Sequence, residues 1–272
     1  MPSLTRGQLE EFRVPPRSIT LWWLGQAGFI VKSPAGKIVA IDPYLSNSCK
    51  AVGEEIGVDM DRMTPPIMPP ADLAGIDAYI LTHSHQDHLD PETLRPYREA
   101  GGTGPFLAPP QTLDKLCSLG VPAERITMVW PSKQLTIGDL TITVTFAIPF
   151  AEDDVTHVGY ILAVQDGPVV YFTGDTAYHE ILAISTAPQR PDVLVSVING
   201  AFRNMGPAEA ARLAKQLNVR RVIPCHHDLL PDNSLPARLL RTNLVIEGIG
   251  DRFEPLEHGR AFTYPADART PS

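Results

Sequence analysis

Cysteine is scarce: only Cys49, Cys117 and Cys225 occur in 272 residues, far apart and without a CxxC spacing. That excludes a disulfide framework and a thiolate zinc cage, and the three are expected to be buried thiols. Cys225 directly precedes His226, but adjacency in sequence does not make a nucleophile without matching geometry. Positive charge is also short, with 23 Lys and Arg against 31 Asp and Glu and a formal net charge of −8. Such a surface, with no basic patch, repels nucleic acid and anionic lipid, so neither is an expected partner. No apolar run approaches a bilayer span. The opening MPSLTRGQLEEFR lacks the apolar core of a signal peptide and the Arg-rich pattern of other targeting segments, and a cytoplasmic location is expected. Fixed-period repeats and low-complexity linkers are missing as well. A 43% hydrophobic content is enough for a substantial core, so residues 1–272 read as one domain behind a polar leader, 1–18.

After the leader come three β-rich segments, ITLWWL ending at Leu24, FIVK from Phe29 and KIVAID ending at Asp42. Ser33-Pro34-Ala35-Gly36 has the composition of a hairpin turn, which predicts an antiparallel meander. Residues 46–73 show no clear periodicity and carry Pro65, Pro66, Pro69 and Pro70. They read as a long loop that could cover a pocket. The short strand AYIL, from Ala78, runs into a histidine cluster, and Asp90-Pro91-Glu92 then reads as a helix cap and first turn. Further strands are expected at 126–130, 140–148, 158–164, 169–172, 193–198 and 219–223, with helices between several of them. The clearest helix is 207–217, where Pro207 suits the first turn and Ala210, Leu213, Ala214 and Leu217 form a core-facing stripe. Interleaved strands and helices without a composition break indicate a layered α/β fold.

Histidine carries the functional signal. Seven of the eight lie at ends of apolar strands, and only His258 sits in a plain polar stretch. In His83-Ser84-His85-Gln86-Asp87-His88 the i, i+2 spacing aims two imidazoles at one point, while Asp87 and His88 can turn toward a second. Zinc, manganese and iron accept such mixed imidazole and carboxylate ligands. The competing reading is a hydrated polar loop, which three histidines and an aspartate within six residues disfavour. Asp175 follows the apolar strand YFTG and could bridge two ions, although Gly-Asp after a strand is also an ordinary turn. Adjacent His226 and His227 end another strand and point in different directions if the backbone is extended, so one of them faces the metal. His157, preceded by Glu152, Asp153 and Asp154, is open between ligand, substrate group and acid-paired surface residue. His179 falls at the start of the next helix, where it could orient a ligand or touch substrate.

Taken together, THSHQDH resembles the HxHxDH signature of the metallo-β-lactamase superfamily, with FTGDT and IPCHHD in the order and spacing of its later motifs. WWLGQAGF, IDPYLSN, LTHSHQDHLDPE, IPCHHD and the late AFTYP resemble the L-ascorbate-6-phosphate lactonase branch. The resemblance implies a four-layer αββα sandwich with a metal site along one edge. It matches His83 and His85 to one metal position, Asp87 and His88 to the other, Asp175 to the bridge and His226 to the last histidine ligand. Asp42 matches an aspartate that supports the histidine loop through hydrogen bonds. The middle motif departs from the commonest pattern, since only His157 is available there, which leaves one or two metals per chain.

These readings predict a metal-dependent hydrolase in which the ion lowers the pKa of a water and polarises the carbonyl of a small lactone or ester. Asp87 is the candidate to orient that water or carry its proton, and His227 or His179 to protonate the departing alkoxide. Arg203 and Asn204, on the loop before the 207–217 helix, are candidates for substrate contact, Arg203 by holding a phosphate. The same scaffold also suits a small-molecule phosphodiesterase, or a metal-binding protein that has lost turnover. A small molecule is the expected partner, with homo-oligomerisation left open.

Overall fold

The computed structural model describes residues 4–149 and 154–265, so Glu152 and Asp153 lie outside the described residues. Two mixed sheets stack face to face. The first has seven strands in the order β13-β1-β2-β3-β4-β5-β6. Its strands are β1 (Ile19–Gly25), β2 (Gly28–Lys32), β3 (Ile38–Ile41), β4 (Ala78–Ile80), β5 (Phe106–Ala108), β6 (Ile126–Met128) and β13 (Ala261–Tyr264). The second has six, in the order β12-β11-β10-β9-β8-β7. They are β7 (Gln134–Ile137), β8 (Leu140–Phe146), β9 (Val158–Val164), β10 (Val169–Phe172), β11 (Val193–Val197) and β12 (Arg221–Cys225).

The first three strands form the expected antiparallel meander, closed between β2 and β3 by the turn in which Gly36 N donates to Ser33 O at 2.9 Å. The AFTYP segment supplies β13, antiparallel to β1 with Leu21 opposite Phe262. All seven residues of β1 are buried, because this sheet is covered on both faces. Leu21, Trp23, Phe29, Val31 and Ile41 point inward against Val144, Tyr160, Leu162, Phe172 and Val195 of the second sheet. The Phe29 and Phe172 rings meet edge to face at 5.5 Å. Each such side chain contributes roughly 1.5–3 kcal/mol by leaving water.

The alternate residues face the helices. Trp22, Ile30, Tyr79 and Phe106 pack under α1 (Arg6–Glu11), α3 (Pro91–Glu99) and α4 (Pro110–Ser118) through Leu9, Leu94, Tyr97 and Leu116. On the far side, Ile161, Tyr171 and Leu194 pack under α5 (Glu180–Thr186), α6 (Pro207–Leu217) and α7 (Arg238–Ile246). The layering is αββα. Asp90 caps α3 as expected, accepting from Glu92 N at 3.0 Å, and the 207–217 stripe lies buried as core. Among the described residues no helix is long and apolar enough to cross a membrane.

Segment 46–73 is not the loop its composition suggests. It contains a helix, α2 (Cys49–Ile56), capped by Gly57 in the left-handed region at φ 75. Gly53 weakens the helical pattern in sequence, yet the fold needs it: a Cβ there would lie 2.5 Å from Val58 O. In the Pro-rich part, Ile67 and Met68 are buried in the outer core and Leu4 N donates to Ile67 O at 2.8 Å. Cys49 and Cys225 are buried thiols, whereas Cys117 is exposed on α4. Strands expected at 126–130 and 140–148 stop at Met128 and Phe146, and the one at 219–223 shifts to end at Cys225. That shift sets His226 just beyond its strand.

Candidate metal centre

Strand ends from both sheets converge on one edge of the sandwich. The loop after β4 carries His83, His85, Asp87 and His88. His157 immediately precedes β9, Asp175 follows β10 across Gly174, and His226 follows β12. Three groups bring their ligand atoms within 4.8 Å of one another: His83, His85 and His157; His83, His88 and Asp175; and Asp87, His88 and His226. Asp175 is linked to both other sets by its group with His83 and His88, and its Oδ1 lies 3.5 Å from His88 Nε2 and its Oδ2 3.4 Å from His226 Nε2. Asp87 Oδ2 is 3.1 Å from His226 Nε2.

The supporting hydrogen bonds leave specific ring nitrogens over. Asp42, at the end of β3, accepts from Thr82 N at 2.8 Å and meets His88 Nδ1 at 2.8 Å, which turns His88 Nε2 toward the centre. His157 Nδ1 meets Asp175 O at 3.1 Å, which does the same for His157 Nε2. Both Nε2 atoms and Asp175 Oδ1 are buried without a hydrogen-bond partner. Buried polar atoms ordinarily find partners, so orphaned imidazole and carboxylate atoms converging on one point are the donor set a divalent cation takes.

The electrostatics agree. Burial alone would lower the pKa of His88 and His226, but the facing carboxylates outweigh it. His88 is held well above its ordinary value, and His226 is raised to about 9, chiefly by Asp175. Burial would raise Asp87 and Asp175, yet His88 and His226 hold both below the usual carboxylate range. His83 is pushed well down by burial and by His88, and His157 is lowered by burial. A divalent ion facing the same carboxylates would take over the charge of these imidazole protons.

A cleft of about 710 Å³ opens over the centre and is lined by His85, Asp87, His157 and Asp175 together with Lys115, Arg203 and Asn204. Asn204 Nδ2 donates to Asp175 Oδ2 at 2.6 Å, and Arg203 reaches the same cleft from that loop. Two other sequence candidates stand elsewhere. The left-handed backbone at His226, φ 60, turns His227 away, so that its ring packs on Trp23 at 4.4 Å and its Nδ1 meets Asp228 at 2.8 Å. His179 is exposed and caps α5, accepting from Ile181 N at 3.1 Å. Neither lines the cleft.

Sequence reasoning missed four residues. Gln26, buried in the β1–β2 turn, donates to Asp87 Oδ2 at 2.9 Å. Lys115 donates to Ser84 O at 2.5 Å, and Asp154 accepts from Ser84 N at 2.8 Å, which fixes the histidine loop from two sides. His258, far from being a plain polar residue, packs on Trp23 at 4.1 Å, and burial lowers its pKa to about 4. Gly25 and Gly28 punctuate the strands around Gln26, but nothing local in the sequence marks the role of any of the four.

Residues 38–227 match the family model of the beta-lactamase superfamily domain. The chain belongs to that family, whose fold and site define the metal-dependent hydrolases of the metallo-β-lactamase fold. It is 30% identical over 221 residues to a UPF0173 metal-dependent hydrolase of Myxococcus xanthus, across 77% of this chain and 70% of the relative. A probable L-ascorbate-6-phosphate lactonase of Salmonella heidelberg is 27% identical over 303 residues, across 96% of this chain and 85% of the relative. Igni18, a metallo hydrolase of Ignicoccus hospitalis, superposes with a TM-score of 0.71 at 21% identity, covering 92% of this chain and 100% of that one.

Proposed function

We propose that the protein hydrolyses a small lactone or carboxylic ester, of the L-ascorbate-6-phosphate lactone type or a relative of it. The centre would hold one or two divalent ions, zinc or manganese with iron as a third choice. His83, His85 and His157 would hold one position, Asp87, His88 and His226 the other, and Asp175 would bridge. The observation that carries this reading is the Asp175 carboxylate, which gathers with His83 of the first set and His88 of the second within 4.8 Å, at a cleft wide enough for a small molecule.

Bound ions of this kind polarise a carbonyl and bring the pKa of a water toward neutrality. The chain's residues supply the rest. Asp87, kept ionised by His88 and His226, accepts a proton from the attacking water and returns it to the departing alkoxide. His227 and His179 do not line the cleft, so Asp87 serves in both directions. Asn204 fixes the angle of Asp175, and Arg203 and Lys115 provide positive charge for an anionic substituent.

Metal content by plasma mass spectrometry, on protein purified without chelator, tests the centre. One or two ions per chain, lost in His85→Ala, are expected. A lactone panel run beside bis(p-nitrophenyl) phosphate tests the reaction, and turnover of the lactones is expected to dominate. Folded protein that cannot be loaded with metal would overturn the first statement, and preferred cleavage of the phosphodiester the second.

A further inference from the structure

α2 turns one face to the cleft: Cys49, Val52 and Ile56, at i, i+3 and i+7, all line it, joined by Met60. An amphipathic helix ordinarily seats such a stripe on its own core. Here only Cys49 of the three is buried, and Ile56 remains 57% exposed. The β11–α6 loop adds Phe202, 54% exposed and also lining the cleft. Phe202 and Arg203 hold consecutive left-handed conformations, φ 50 and 61, which cost side-chain-bearing residues energy and persist where a loop must present particular groups.

Exposed aliphatic and aromatic side chains beside a metal centre would leave the hydroxyls of a sugar without hydrogen-bond partners, whereas they shelter hydrocarbon from water. We infer that this part of the cleft binds an alkyl or aryl group of the substrate, so that the ester or lactone is amphiphilic, with its carbonyl at the metal centre and its hydrocarbon against Val52, Ile56, Met60 and Phe202. The inference deepens the hydrolase reading by choosing, within its lactone and ester class, an amphiphilic substrate over the sugar lactone itself, and rests on that reading for the identity of the reacting group alone.

Calorimetric titration of the metal-loaded protein with butanoate, hexanoate and octanoate tests it. Complete burial of a methylene is worth about fourfold in affinity, so with each methylene half covered Kd is expected to fall about fourfold for every two carbons added. Ile56→Asn and Phe202→Ser should flatten the series. Ile184→Asn, at an exposed apolar position on α5, should leave it unchanged. A flat series in the unmodified protein, or a slope that survives both cleft substitutions, would overturn the inference. So would a dimer, seen by sedimentation, that Ile56→Asn dissociates, since a second copy would then be the occupant. Turnover of p-nitrophenyl acetate through octanoate is read separately: a steep binding series without turnover sinks the hydrolase reading and supports the apolar slot, while turnover indifferent to chain length does the reverse.

Discussion

Gln26 Nε2 donates to Asp87 Oδ2 at 2.9 Å and lies 3.3 Å from each ring nitrogen of His226. Its backbone oxygen accepts from Trp23 Nε1 and from His226 N, both at 2.9 Å. One residue of the β1–β2 turn therefore positions a carboxylate and a histidine that arrive from different sheets. Gln26→Met, which removes the amide at similar volume, is expected to weaken binding of zinc, used as the probe ion, by about 10–100-fold. Competition with a chromogenic chelator measures this, and an unchanged affinity would remove Gln26 from the support of the centre.

Asp42 receives Thr82 N–H and faces His88, all of them buried. Removing one partner of such a network strands the others, so Asp42→Ala should cost about 3 kcal/mol in guanidinium unfolding. Asp42→Asn keeps the shape and should cost less. Equal, small losses for both would mean that the pairing contributes little to stability.

Chelator-treated protein should show a bell-shaped dependence of stability on pH. His226, raised to about 9, contributes stability that is complete below its ordinary 6.5 and is lost as pH rises through about 9, and His88 acts in the same direction. His83, His157 and His258 are lowered by burial, so their contribution is present above 6.5 and is lost as pH falls. The two flanks place the maximum near pH 6.5, readable from urea midpoints across pH 4.5–9 taken as an approximate working range. A monotonic rise to pH 9 would contradict the protonated state of His226.

Gly174 holds φ 62, and a Cβ there would stand 2.6 Å from Val158 O. Gly174→Ala should therefore destabilise the fold by about 2 kcal/mol or more and displace Asp175. Urea unfolding gives the first number and metal content the second. Retention of both would show that the strand end tolerates a shift.

Legibility in the sequence followed the range of the interactions. The β9, β10 and α6 boundaries match the expected ones, because short apolar runs and the Ala210 to Leu217 stripe are local signals. His83 through His88 stood out because their chemistry is contiguous. α2 was hidden by Gly53, whose reason for being there is the return of the chain at Val58. Which of His226 and His227 turns inward depends on one positive φ, and an extended-strand argument leaves that choice open. Gln26, Lys115 and His258 take their meaning from Asp87, Ser84 and Trp23, partners distant along the chain.

Each of the three ligand groups draws on both sheets: His83, His85, Asp87 and His88 come from the loop after β4, while His157, Asp175 and His226 come from the edges of β9, β10 and β12. An ion bound by any group is thus a rivet through the sandwich. Parting the layers and losing the ion become one event, so stripping the metal should loosen the whole edge of the molecule and quicken amide exchange in both sheets at once.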